Sequence, residues 1–234
     1  MNELTYGTKN LSEFNTFYDS HSSFGSPERD VELVEVAGKN GALIIDNDRY
    51  RNIDISFNCY INSGFLGSYR SLMAYLQSLK GYNRLEISQE PNHYRMASFN
   101  MGSQPTPNQF HRSGQFPLVF NCKPQRFLKS GEAAVEYSVD GTITNPTLFP
   151  SYPLIRIYGT GKVTINNHVI TISAHSFTYI DINCELMDAY YNSSNANQYV
   201  SFSDNEFITL KSGSNGIDLD GVTKIQITPN WYEI

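Results

Sequence analysis

The sequence is short of the groups that carry chemistry or cross membranes, and each shortage excludes something. Only 17% of the 234 residues are charged, with a formal net charge of −6 and a pI near 5.3. No cluster of Lys and Arg offsets that acidic balance, so recognition of a phosphate backbone is not expected. No stretch approaches the ~20 apolar residues of a spanning helix, which argues against membrane insertion. The opening Met1-Asn2-Glu3-Leu4-Thr5-Tyr6 lacks the basic and apolar segments of a secretory signal, so export by that route is not expected. The three cysteines, Cys59, Cys122 and Cys184, are odd in number and far apart. They read as small buried thiols of a reducing compartment rather than as a disulfide framework. Asn10-Leu11-Ser12 and Asn192-Ser193-Ser194 match the glycosylation triplet, which matters only in a secreted chain.

Catalytic and metal-binding patterns are equally scarce. His21, His93, His111, His168 and His175 are scattered, and there is no His-x-His or Cys-x-x-Cys pair, so no zinc site is supported. Asp46-x-Asp48 and Asp218-x-Asp220-Gly221 do not extend into a calcium loop with its terminal Glu; they read as turn residues bonding their own backbone. Glu132 with Glu136, or Glu185 with Asp188, can be nominated as a hydrolase pair, but carboxylates at such spacing occur in nearly any chain. Cys122 sits mid-strand among alternating neighbours, a core position rather than an activated nucleophile. There is no Gly-rich phosphate loop. No enzyme activity, cofactor or metal is expected.

What is present is β-forming. There are 16 Tyr and 14 Phe against one Trp, with 16 Gly and 10 Pro, and 40% of residues are hydrophobic. Many rings with many turn-formers indicate a mainly β fold. Val31–Val36 alternates as a half-buried strand, Gly38-Lys39-Asn40-Gly41 marks a tight turn, and Leu43-Ile44-Ile45 precedes a polar turn at Asp46-Asn47-Asp48. Ile53–Asn58 alternates again, giving a meander at the edge of a sandwich or barrel. Phe65-Leu66, Tyr69, Leu72-Met73, Leu76 and Leu79 recur at the helical period and predict one helix over 66–80, ended by Gly81. Strands follow at 82–87, 94–99 and 114–123, the last closed by Pro124. The turn-rich, proline-interrupted stretch 129–153 marks a boundary between domains 1–135 and 136–234. Beyond it, seven short strands (154–158, 162–165, 168–173, 179–183, 206–211, 216–219 and 222–228) read as a β-sandwich.

Particular phrases carry more than composition. Val36–Leu43 with Asp46 and Tyr50-Arg51-Asn52, then Tyr82–Glu86 with Tyr94–Ala97, and Gly114–Phe127 with its Lys123-Pro124-Gln125 ending, come in a fixed order. Asn145-Pro146-Thr147, Pro153-Leu154-Ile155, Tyr158-Gly159-x-Gly161, Ile180–Glu185 and Ile227–Trp231 continue it. Together they resemble the distal tail protein family, the tail-tip hub of long, non-contractile-tailed phages of Gram-positive bacteria. The chain departs from the family's phrases at Ala37, where Pro is usual, and at Lys39 and Asn230, where Arg is usual.

The resemblance implies an N-terminal barrel-like or sandwich ring domain with one α-helix and an extended β-hairpin, followed by a C-terminal galectin-like β-sandwich. It implies a non-catalytic homo-hexamer at the virion tail tip, assembled in the host cytoplasm. Its partners would be the tail tube protein, a tail-associated tip protein, and receptor-binding or other baseplate proteins. The ring or tube contacts expected are Gly38, Lys39, Asn40 and Gly41 in the turn, with Tyr82, Arg84, Glu86, Tyr94 and Arg95 in an open 82–99 hairpin whose edges a neighbour would pair. The length leaves no room for an inserted carbohydrate-binding module. The alternative is a glycan-binding sandwich in host adhesion, with Tyr190, Tyr191 and Tyr199 supplying rings that stack on sugars.

Overall fold

Alternation decides where each strand puts its side chains, and here it fills two separate cores. The computed structural model describes residues 2–21, 25–100, 104–108 and 112–234. It divides into two compact units, Met1–Arg126 with Ile234, and Phe127–Glu233.

In the first unit the strands are β1 (Leu4–Tyr6), β2 (Lys9–Asn10), β3 (Thr16–His21), β4 (Arg29–Glu35), β5 (Ala42–Tyr50) and β6 (Ile53–Ile61). The helix α1 (Phe65–Ser78) follows, then β7 (Asn83–Ile87), β8 (His93–Ser98), β9 (Thr106–Pro107) and β10 (Gly114–Leu128). The main sheet runs β2-β1-β7-β8-β10-β6-β3. It curls until its ends meet, where the Tyr18 N–H donates to the Asn2 carbonyl at 3.3 Å in an antiparallel bridge. Every second residue points inward: Leu4 and Tyr6, Ile55 to Ile61, Leu85 and Ile87, and Phe116 to Cys122. The interior is aromatic, with Tyr6 4.8 Å and Phe57 6.0 Å from Phe120 between ring centres.

Phe65, Leu72 and Leu76 of α1 enter this same core, the stripe that the helical period marked out. The Tyr75 hydroxyl donates to the Tyr6 carbonyl at 2.7 Å and fastens the helix to β1. Gly114 opens β10 beneath Phe65; a Cβ there would lie 2.5 Å from the ring, so only glycine admits the close approach.

Three expectations are corrected in this unit. β4 and β5 pair only with each other as a separate two-stranded ribbon instead of joining a meander with β6. The polar turn at 46–48 is a bulge inside β5, where the register slips and Asp48 takes φ 53°. Pro124 does not end β10, because the ladder to β6 already stops at Cys122↔Ile53 and loses no hydrogen bond to it.

The second unit continues with β11 (Val135–Tyr137), β12 (Gly141–Asn145), β13 (Leu154–Tyr158), β14 (Gly161–Ile165), β15 (His168–Ile172) and β16 (Ile180–Asn183). It ends with β17 (Asp188–Tyr191), β18 (Ser194–Asn195), β19 (Val200–Phe202), β20 (Gly213–Asp220), β21 (Lys224–Thr228) and β22 (Tyr232–Glu233). A six-stranded sheet β11-β21-β13-β16-β17-β18 and a five-stranded sheet β12-β20-β14-β15-β19 share a core of alternating isoleucines, closed by Trp231. The strand expected at 206–211 is absent. Leu210 makes a single bridge to Ser151, and side-chain amides hold the segment: Asn145 Nδ2 donates to the Leu210 carbonyl at 3.0 Å, and Asn215 bonds both the Lys211 carbonyl and its N–H at 2.9 Å. Polar satisfaction by buried asparagines replaces the ladder.

Gly114→Ala should destabilise the first unit by about 1–3 kcal/mol, the usual range for overpacking. In urea unfolding, Phe65→Leu should restore part of the loss in the double variant. Strict additivity of the two changes would show that the Phe65 ring is not what the glycine accommodates.

Candidate assembly interface

The β4–β5 ribbon is unusual because it has no inside. Leu33 stands opposite Ile44 and Val34 opposite Leu43, and directly opposed residues share a face. One face therefore carries Val31, Leu33, Ala42 and Ile44, and the other Val34, Leu43 and Ile45. Leu33 is 64% exposed, Ile44 65%, Leu43 58% and Ile45 44%. Neither strand pairs with a third among the described residues, so both edges also offer free backbone groups. A lone two-stranded hairpin is marginally stable in water, and this one is apolar on both faces.

A charge cluster fixes its root. Asp30 on β4 accepts Arg49 Nε at 2.6 Å and Arg51 Nε and Nη2 at 3.0 and 2.7 Å. Arg29 Nη1 donates to Asp46 at 2.5 Å, and the Arg51 N–H donates to the Glu28 carbonyl at 2.9 Å. The bulge at 47–49 turns Arg49 toward Asp30, and the Asp46 carboxylate accepts the Asp48 N–H at 2.9 Å. Asp30 is covered by its two arginines rather than by a core, and their hydrogen bonds, Arg51 first, hold its pKa below the usual carboxylate value.

The other end is the connection 36–41. Gly38 and Gly41 take positive φ there, and the Lys39 N–H donates to the Val36 carbonyl at 3.1 Å. Gly38, Lys39, Asn40 and Gly41 are all exposed. The turn is longer than the expected tight Asn-Gly hairpin, and Asn40 is not among the residues with positive φ.

The 82–99 segment is not an open ribbon. β7 pairs with β1 and β8, and β8 lies beside β10, so both edges of the hairpin are occupied. Arg84 and Glu86 form an ion pair on its outward side, and the Arg84 guanidinium lies 3.8 Å from the Tyr94 ring centre. Tyr82 is exposed, accepting Asn52 Nδ2 at 2.6 Å, with Lys123 over its ring. Arg95 is the exception: it stands opposite Leu85 on the inward face and is only 5% exposed. Burial lowers its pKa and leaves its Nε without a hydrogen-bond partner, so it is withdrawn from contact with another molecule. The structure thus groups Arg84, Glu86 and Tyr94, and leaves the 38–41 turn on a different sheet. The exposed Leu33 was missed as a contact because the alternation of Val31–Val36 reads as half-burial, and Leu43 and Ile44 because their run reads as the next strand of a meander.

Elsewhere the nominated chemical groups are occupied or inert. Burial pushes the Cys122 and Cys184 thiols up to about 12, and Cys59 is raised likewise. Glu136 binds Lys224 and Gln226, Asp188 accepts Asn197 Nδ2, and His168 pairs with Asp204. The His21 side chain and all of His111 lie outside the described residues. Among the described residues no three His, Cys, Asp or Glu side chains are placed to hold a metal, and no helix is long and apolar enough to cross a membrane. Of the three tyrosines named for sugar contact, Tyr191 and Tyr199 pack on Phe177 at 4.8 and 5.7 Å, while Tyr190 stands apart, opposite Asp181.

Asp30→Asn should free the ribbon root, so that trypsin cuts at Arg49 and Arg51 several-fold faster at neutral pH; an unchanged rate would refute the clamp. Because the folded pKa of Asp30 is depressed, its contribution is complete above the ordinary carboxylate range near pH 4 and disappears as pH falls through the lowered value. Hydrogen exchange at the Arg51 amide should accelerate in that acid window.

No family model and no curated protein matches the sequence. Solved structures do match, two of them over nearly the whole chain. The SPP1 Dit protein, described as a paradigm of the hub adsorption apparatus in phages infecting Gram-positive bacteria, aligns over 100% of both chains at 11% identity with a TM-score of 0.72. A chain of the phage p2 baseplate in its activated conformation with Sr aligns over 97% of both chains at 10% identity with a TM-score of 0.55. From end to end, this chain has the fold of the phage Dit hub protein.

Proposed function

We propose that this chain is the structural hub of a long, non-contractile phage tail, forming a homo-hexameric ring that joins the tail tube to the tip or baseplate. The observation that carries the reading is the β4–β5 ribbon, with two apolar faces and two unpaired edges in a chain with the Dit fold. A neighbouring copy would supply both the missing strand pairing and the missing apolar cover. Such a head-to-tail contact satisfies every copy equally once the rotation closes into a ring. The Asp30 clamp holds the two ribbon strands together at their root, so the apolar faces are presented as one surface.

Gly38, Lys39, Asn40 and Gly41 at the ribbon tip, with the outward Tyr82, Arg84, Glu86 and Tyr94, are the proposed ring or tube contacts. The tail tube protein and a tail-associated tip protein are the axial partners in this reading. The second unit, read as a galectin-like sandwich, holds receptor-binding or other baseplate proteins. The site of action is the virion tail tip, after assembly in the host cytoplasm. The role asks for no catalytic group and no cofactor.

Negative-stain electron microscopy of the purified protein should show six-fold rings with a central channel. Leu33→Glu with Ile44→Glu puts two carboxylates on one ribbon face; the variant should sediment as a monomer while its thermal unfolding stays unchanged. Rings that survive this double change would rule the ribbon out as the joint.

A further inference from the structure

We infer that the outward face of the six-stranded sheet in the second unit is a platform for a neutral glycan. Successive strands bring one row of side chains side by side: Glu136, Gln226, Arg156, Asp181 and Tyr190 are neighbours in register across β11, β21, β13, β16 and β17. Tyr158 and Tyr179 flank this row, their ring centres 5.8 Å apart.

Each element of the row is held in place. Arg156 makes a bidentate pair with Asp181 at 2.7 and 2.8 Å, and its guanidinium lies 4.0 Å from the Tyr179 ring centre. Lys224 bonds Glu136 at 2.8 Å and sits 4.8 Å from the Tyr158 ring centre. The Tyr158 hydroxyl donates to Gln226 at 3.3 Å, and the Tyr179 hydroxyl donates to Asn192 at 3.0 Å. Tyr190 is partly exposed, and no hydrogen bond from its hydroxyl is present among the described residues. Planar polar groups and rings fixed before a ligand arrives lose little freedom when one binds.

The chemistry of the face selects the ligand class. Sugars offer a C–H face to an aromatic ring and paired hydroxyls to planar carboxylate, amide and guanidinium groups; Glu136, Gln226, Arg156 and Tyr190 present those groups at the surface, while the buried Asp181 positions Arg156 from beneath. Its charges cancel, Arg156 against Asp181 and Lys224 against Glu136, so no surplus cation is left for a phosphate polymer. Phenol rings separated by ion pairs do not form the contiguous apolar centre of a protein interface. The ligand that fits is a neutral oligosaccharide lying across the strands.

The test passes the full-length protein over immobilised neutral tetrasaccharides of glucose, galactose and N-acetylhexosamine, beside a glycerol-phosphate polymer. At least one neutral sugar should retain the protein. Tyr190→Ala should weaken retention about tenfold, as expected for one lost ring contact. Arg156→Lys, which keeps the charge but not the bidentate geometry, should also weaken it, with near-ultraviolet circular dichroism reporting intact folding. Retention by the phosphate polymer alone, or by nothing on the panel, overturns the inference. Neither result bears on the ring, which is tested separately by the ribbon variant.

Discussion

A β-strand carries a row of N–H and C=O groups on each side, and what becomes of those edges organises this molecule. The first unit shortens its open edges by curling, so that β3 meets the chain before β1 at the single Asn2–Tyr18 bridge. In the second unit, buried asparagine amides bond the irregular segment around 205–211 where no ladder runs. The β4–β5 ribbon is the place where the constraint is not met among the described residues, and Leu33, Leu43, Ile44 and Ile45 face water there together. Two unmet requirements at one place point to one remedy, another strand-bearing surface.

Such a ribbon is an aggregation hazard unless something restricts what it pairs with. Glu32 lies on one face and Glu35 on the other, and Lys39 stands at the tip. These charges oppose indiscriminate stacking of apolar faces while permitting a partner that meets them. The Asp30 clamp adds register. Three hydrogen bonds from two arginines converge on one carboxylate at the root and hold β4 to the end of β5. Specificity thus comes from polar groups at the root and margins, and cohesion from the apolar middle.

Much of this was legible in the sequence, for a physical reason. Strands such as Ile53–Ile61 and Leu154–Tyr158 are half-buried by their own unit, so local alternation records their environment. The helix was legible because Phe65, Leu72 and Leu76 all face one core. β4 shows the same kind of pattern, but no surface among the described residues covers the ribbon, so the expected half-burial does not arise. Arg95 failed in the other direction. Residue type suggests a surface, whereas its place opposite Leu85 sends it inward. β3 escaped notice because a bulge between Tyr18 and Ser20 breaks its period. At 206–211 the period is present without a ladder, because Asn145, distant in sequence, and Asn215, just beyond the segment, take backbone groups a neighbouring strand would have used.

The ribbon and the tyrosine-bearing face of the second unit differ in what they leave unsatisfied, and that difference separates permanent assembly from reversible recognition. On the ribbon, backbone groups and aliphatic surface are unmet, a deficit that grows with every residue and that only a large, lasting contact can remove. On the tyrosine face the ion pairs and two of the three hydroxyls are already bonded within the chain, so the unliganded state costs little. A ligand there gains only what a pre-formed surface adds by shape, and it can leave again without exposing anything new. In the role proposed here the lasting contact falls to the ribbon and the reversible one to the tyrosine face, each on its own unit.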